Sequence, residues 1–319
     1  MTPSPSFEVR PASRTAEYMA LFRALETVRR GRPPRLFRDP HARLFLSPGL
    51  RIALGLARVP LAGRLVPWFI DRRWPGARTS GVARTRLIDE AVLAGVREGA
   101  RQLVLLGAGF DCRALRLPAL AGVRVFEVDR AATLARKQAL LARANARPTA
   151  AVVPVAIDFD SESLPDALAR AGFEPGVRTF FVWEGVTNYL TAAAVDDVLA
   201  FVARGSAPGT RILFTYVHRG AIDGSAELAG TAALRRTLAR VREPWTFGLV
   251  PEEIDGFLAE RGLERVEDVG ADEYRARGFG PAADGMRGYE FYRAVLARVP
   301  ERDGARPSAG GAGPRPVAR

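Results

Sequence analysis

The chain predicts an α/β fold, a doubly wound parallel sheet with an N-terminal helical cap, and three observations carry that expectation. Leu103-Val104-Leu105-Leu106 runs straight into Gly107-Ala108-Gly109, the pattern of a buried parallel strand that stops at a tight turn. A second apolar run ends Phe126-Glu127-Val128-Asp129, so an acid falls about twenty residues on, where a carboxylate can take both hydroxyls of a ribose. Beyond it, apolar runs of strand length alternate with helical patterns along most of the chain.

The N-terminal part is helical. Ala16, Met19, Ala20, Phe22, Leu25 and Val28 recur at helical spacing within residues 13–30, and Gly31-Arg32-Pro33-Pro34 breaks the pattern. Asp39-Pro40 can start a short helix through His41 to Leu46, since proline is tolerated in a first turn. Further helical pieces between Leu50 and Arg73 end at Trp74-Pro75-Gly76, so residues 1–79 read as a cap or lid. The apolar stretch from Leu50 to Ile70 is broken by Arg51, Arg58, Pro60, Arg64 and Pro67, which excludes a bilayer span. No apolar leader follows Met1-Thr2-Pro3-Ser4-Pro5, so a cytoplasmic protein without a membrane partner is expected.

From Ser80 to about Glu98, Leu87, Ile88, Ala91, Val92 and Val96 form the apolar stripe of a longer helix. Arg84 precedes Leu87 by three residues and Ile88 by four, which puts a guanidinium on the buried side. Such an arginine needs an anion, and a core acid and a ligand carboxylate both qualify.

Strands are then expected near 102–106, 123–128, 151–157, 179–183 and 210–217, with helices near 113–120, 131–144, 162–171 and 191–204. The glycine turn is expected to open its helix, with free N–H groups facing a ligand. A parallel sheet places ligands at the carboxyl ends of its strands, and the acids there are Asp129, Asp158 and Glu184. With Gly107 and Gly109 at a fourth strand end, they read as one pocket. A helix near 251–261 and strands near 264–269 and 289–297, the last two antiparallel, close a domain over 80–300. The Gly/Pro/Arg sequence 301–319 reads as a disordered tail.

Composition narrows the partners. The formal charge is +12, but residues 1–80 contribute +10, residues 298–319 contribute +3, and the region between them sums to −1. A nucleotide pocket in a nearly neutral domain is no phosphate track, and no aromatic residues interleave with the arginines as stacking platforms would, so nucleic acid is not the expected partner. Cys112 is the only cysteine, which excludes an internal disulfide and a cysteine zinc site and favours an inert buried thiol. The dinucleotide fingerprint wants a small residue where the chain has Cys112 and gives no reason for Asp111, which weakens a pyrophosphate reading.

The ordered set Arg84-Thr85-Arg86-Leu87-Ile88-Asp89, Leu106-Gly107-Ala108-Gly109-Phe110-Asp111, Phe126-Glu127-Val128-Asp129, Ile157-Asp158-Phe159 and Trp183-Glu184-Gly185-Val186-Thr187-Asn188-Tyr189-Leu190 resembles the leucine carboxyl methyltransferase family. It looks most like that family's bacterial branch of S-adenosylmethionine-dependent methyltransferases, whose N-terminal pattern Asp39-Pro40-His41-Ala42 also fits. The resemblance spans most of residues 13–297. It implies a seven-stranded, Rossmann-like class I methyltransferase sheet with S-adenosyl-L-methionine as cofactor. Carried over, Arg84 would hold the methionine carboxylate and the Gly107–Gly109 turn would admit the cofactor close to backbone. Asp129 would take the ribose hydroxyls, Asp158 and Phe159 would frame the adenine, and Glu184 would lie near the amino-acid end.

The acceptor is left open by that resemblance. A small-molecule carboxylate, already ionised at neutral pH, needs no base, whereas a phenol does. His218 closes Leu213-Phe214-Thr215-Tyr216-Val217 at the expected pocket mouth and is the residue on which the two would differ. Tyr189 suits either a pocket wall or core packing beside Leu190. The leading expectation is an S-adenosylmethionine-dependent O-methyltransferase acting on a small acid or a phenolic metabolite, with an anionic acceptor expected. An NAD-dependent oxidoreductase and a non-catalytic protein binding S-adenosylmethionine or nucleic acid are the alternatives.

Overall fold

The computed structural model describes residues 14–31, 34–60, 62–158, 162–232 and 245–301. Seven strands form one sheet: β1 Gln102–Leu106, β2 Arg124–Asp129, β3 Ala151–Ala156, β4 Thr179–Trp183, β5 Arg211–Val217, β6 Glu264–Val269 and β7 Tyr292–Arg298. Their order is β3-β2-β1-β4-β5-β7-β6. β1 to β5 pair in parallel, and β7 runs antiparallel to both β5 and β6. The expected sheet is therefore present, with β7 inserted between β5 and β6. Every residue of β1 and of β4 is buried, as apolar runs covered on both faces should be. β3 is an edge strand, which is why it tolerates Pro154, a residue without an N–H to donate.

The helices before and between these strands are α1 Arg14–Val28, α2 Pro48–Leu56, α3 Leu65–Arg73, α4 Ala77–Arg97, α5 Arg113–Arg116, α6 Ala131–Arg143, α7 Leu164–Arg170, α8 Ala192–Arg204 and α9 Arg219–Asp223. Two more, Ile254–Ala259 and Ala271–Phe279, flank β6. The second of these has no counterpart in the periodicity reading. Its apolar content is low, and it is held by position: Tyr274 and Phe279 are buried in a cluster shared with α1 and α4. The helix expected over 113–120 is divided, because Pro118 removes a donor and starts a 3-10 turn over Pro118–Leu120.

One face of the sheet, through Val104, Phe126, Phe181 and Trp183, packs on α7 and α8. Ile88 and Val92 of α4 pack on the other face against Leu103, Leu105, Phe180 and Val182. The alternation follows from successive strand side chains pointing to opposite faces. Ala20, Leu21, Phe22, Ala24 and Leu25 of α1 share a third cluster with Val82 and Ala83 of α4, so α1 is built into the body that carries the sheet. The expected tail beyond residue 301 lies outside the described residues.

Candidate functional site

The order β1-β4 with β2 beyond β1 creates a switch point, and the chain leaves the carboxyl ends of these strands through residues of special geometry. Gly107 and Gly109 have φ of +68° and +46°, which only glycine adopts without strain. The amides of Gly107 and Ala108 both donate to the Val128 carbonyl, at 2.9 and 3.0 Å, pinning the turn to the end of β2. The Gly109 amide donates to Asp129 Oδ2 at 2.7 Å, and the Arg130 amide donates to Asp129 Oδ1, also at 2.7 Å. A carboxylate accepts about four hydrogen bonds, so Asp129 keeps capacity for further donors.

The helix expected after the glycine turn is present but shorter than expected. α5 starts at Arg113, is a single turn long, and the Arg113 amide already donates to Asp111 Oδ1 at 2.6 Å. With that amide engaged by a side chain, so short a helix presents few N–H groups to a ligand.

Arg113, 3% exposed, ties three elements together. Its Nε donates to Asp89 Oδ1 of α4 at 2.9 Å, one terminal nitrogen pairs with Asp111, and the other reaches Glu184 Oε2 at 3.3 Å. Glu184, the first residue after β4, also accepts from Arg84 Nε at 2.9 Å. The anion that Arg84 needs is thus supplied by a core acid in this structure. Arg116 completes the set with two 2.6 Å bonds to Asp89, and Arg23 joins Asp39 at 2.9 Å and the Phe110 carbonyl at 2.6 Å.

The charges set each other's protonation. Burial works to raise the carboxyl of Glu184, but Arg84 and then Arg113 hold it below its ordinary value. Asp111 is likewise held low against burial by Arg113, with Lys137 and Arg23 assisting. Burial pushes Glu127 up despite Lys137, the only lysine, whose Nζ lies 2.9 Å from Glu127 Oε1. Arg23, Arg84, Arg113 and Arg116 are matched by Asp39, Asp89, Asp111 and Glu184 in one continuous chain of contacts. Asp129, by contrast, is held by amides alone among the contacts of the described residues.

Beside Arg84 the surroundings are aromatic. The Tyr292 ring lies 4.7 Å from the Arg84 guanidinium carbon, and its hydroxyl donates to Asn188 Oδ1 at 3.4 Å. Trp245 stands 6.4 Å from Tyr292 and 6.4 Å from Tyr189, measured between ring centroids. Tyr189 is 38% exposed, so its alternative as a core residue beside Leu190 is corrected: it stands on the surface against Trp245. His218 does close β5, and its Nδ1 accepts the Gly220 amide at 3.0 Å to cap α9. Asp158 is exposed two residues beyond β3, with its amide donating to Glu162 Oε2 at 2.9 Å. Phe159 lies outside the described residues.

The structure therefore gathers Arg84, Gly107, Gly109, Asp129 and Glu184 around the ends of β1, β2 and β4. Sequence reasoning did not single out Arg113, Asp89 or Tyr292. In a chain with 47 basic residues, one more arginine carries no signal; its position two residues after Asp111, at a strand-to-helix junction, was the only cue. An open cavity of about 550 Å³ lined by Arg29, Arg30, Arg35, Phe37 and Arg38 shares no residue with this constellation.

The chain is similar to known proteins. The sequence pattern of the leucine carboxyl methyltransferase family matches residues 16–203. A protein of Frankia alni, named an S-adenosyl-L-methionine-dependent methyltransferase, is 38% identical over 240 residues, covering 74% of this chain and 80% of its own. One of Streptomyces avermitilis, named likewise, is 36% identical over 252 residues, covering 78% and 82%. A Thermobifida fusca crystal structure described as a methyltransferase superposes with a TM-score of 0.57 at 20% identity, covering 93% of this chain and 98% of its own. A Streptomyces avermitilis crystal structure of the DUF574 family gives 0.55 at 18%, covering 88% and 97%.

Proposed function

Because the chain belongs to the leucine carboxyl methyltransferase family, we propose that it transfers a methyl group from S-adenosyl-L-methionine to a carboxylate oxygen of a small organic acid. S-adenosyl-L-methionine is the cofactor. The observation that carries the reading is the Arg84–Glu184 pair beside the glycine turn, with Asp129 held only by amides one strand away.

These residues fit a ligand with a carboxylate, an ammonium, a sulfonium and a ribose. Arg84 would hold the methionine carboxylate and Glu184 the ammonium, each using capacity beyond their mutual bond. Asp129 would accept from the ribose hydroxyls, Asp158 would face the adenine, and Gly107 and Gly109 would let the ligand lie close to backbone. Bound there, S-adenosyl-L-methionine supplies a methyl on a positively charged sulfur, displaced in line by an acceptor oxygen.

What remains for the protein is to align that oxygen and exclude water. His218 already spends its Nδ1 lone pair on the Gly220 amide, and burial pushes the Tyr274 hydroxyl up to about 12 against the pull of Arg84. Neither is poised to take a proton, which favours an acceptor that arrives ionised over a phenol. Tyr189, Trp245 and Tyr292 would form the acceptor wall. Residues 1–79, rich in arginine, would draw in the anion and cover it.

Calorimetric titration with S-adenosyl-L-methionine, S-adenosylhomocysteine and NAD tests the cofactor: saturable binding of the first two is expected, and binding of NAD alone would sink the reading. Methyl transfer to a panel of carboxylic acids and phenols then tests the acceptor. A rate flat from pH 6 to 9 is expected for acids, and a rate confined to phenols and climbing with pH would replace the carboxylate.

A further inference from the structure

Six large apolar side chains crowd the surface of one short segment. Ile52 and Leu56 of α2, Val59 just beyond it, and Leu65, Trp68 and Phe69 of α3 are 49–67% exposed, and elsewhere among the described residues only Tyr18, Tyr189 and Val266 are large, apolar and exposed. Ile52 and Leu56 are four apart on α2, and Leu65, Trp68 and Phe69 fall at i, i+3 and i+4 on α3, so each helix gathers them on one face. Leu54 and Ile70, on the opposite faces, are buried in the cluster with α1 and α4. The fold thus uses one side of each helix and leaves the other uncovered.

The charge on this segment is one-sided. Arg51, Arg58, Arg64, Arg72 and Arg73 are all exposed, and the one acid between residues 48 and 73, Asp71, is engaged by Arg78 at 2.5 Å. Arg72 falls seven residues after Leu65, on the same stripe, where a long side chain can reach away from an apolar phase to a headgroup. A helix pair with tryptophan, phenylalanine and leucine on one face and arginines around it has the chemistry of an element that lies in a lipid–water interface.

We propose that α2 and α3 dock this protein on the surface of an anionic phospholipid bilayer. The five arginines meet the headgroup charge, and Trp68, Phe69, Leu65, Ile52 and Leu56 enter the acyl boundary. A second copy is disfavoured as the occupant, since a symmetric contact would bring the same arginines against each other without acids to answer them. The segment lies on the membrane and does not span it, in keeping with the arginines and prolines that interrupt it and with the absence of a long apolar helix among the described residues.

Flotation of the full-length protein with vesicles of equal parts phosphatidylcholine and phosphatidylglycerol, and with phosphatidylcholine alone, tests this. Binding to the anionic vesicles is expected, weaker by on the order of tenfold without phosphatidylglycerol and reduced by salt. The exposed-residue double variant Trp68→Ser/Phe69→Ser should lose vesicle binding by at least a similar factor, while its thermal transition and its calorimetric affinity for S-adenosyl-L-methionine stay unchanged. Arg58→Gln/Arg64→Gln should lose the preference for anionic lipid. No flotation of the wild type, undiminished flotation of the Trp68/Phe69 variant, or a dimer in sedimentation that this variant dissolves would overturn the proposal.

Discussion

Arg84 and Glu184, one hundred positions apart, meet at 2.9 Å between Nε and Oε1, and Arg113 reaches the same carboxylate from the other side at 3.3 Å. The contact joins the helix that leads into β1 to the residue that leaves β4. It closes the switch point from both flanks.

Arg84→Met is expected to weaken S-adenosyl-L-methionine binding at least tenfold and to cost about 3 kcal/mol of stability, because Glu184 loses its nearer partner in a buried setting. Arg84→Lys should recover only part of both, since an ammonium cannot reproduce the guanidinium's forked donors. Titration calorimetry and urea unfolding measure the two effects separately.

Asp129 divides its oxygens between the Gly109 and Arg130 amides. Asp129→Ala should reduce cofactor affinity by about 2–4 kcal/mol, and Asp129→Asn, which keeps one acceptor oxygen, by about half of that. Calorimetric affinities that match wild type would move the ribose to another residue.

Lys137 and Glu127 form a buried pair at 2.9 Å, with Lys137 only 1% exposed. Lys137→Met should destabilise the fold by about 3–5 kcal/mol, while Lys137→Met with Glu127→Leu should recover most of the loss, because an apolar pair leaves no charge stranded. Burial already raises the Glu127 carboxyl, and without Lys137 it rises further. A folded-state value above the unfolded one means that stability falls as pH climbs through it. The single variant should therefore be more stable at pH 5 than at pH 8, as denaturant midpoints would report.

Asp111 and Glu184 shift the other way, both below their ordinary values because arginines outweigh the burial that would raise them. Their contribution to stability is complete above the unfolded carboxylate values, near pH 4, and drains as pH falls through the folded ones. Unfolding free energies at pH 7, 5 and 3 should show little change over the first interval and a steep loss over the second. Asp111→Asn should flatten that loss at the expense of stability at pH 7.

Much of this protein is determined locally and could be read from the chain. The run Leu103–Leu106 into Gly107 and the pairing of an apolar β2 with a terminal Asp129 both follow from rules acting over a few residues. So did the placing of Arg84 on the inward face of α4, which spacing to Leu87 and Ile88 dictates. Tertiary structure decided which partner each charge found. The sequence showed Arg84 to need an anion, but a core acid and a ligand carboxylate both qualified until β4 brought Glu184 to it. Arg113 looked like any of the chain's arginines until the turn after β1 folded it between Asp89, Asp111 and Glu184. The exposed stripe of α2 and α3 was likewise hidden, because Ile52, Leu56, Trp68 and Phe69 have the composition of a core. Side-chain identity states what a group can bind, and only the packing of distant segments states which groups remain free to do so.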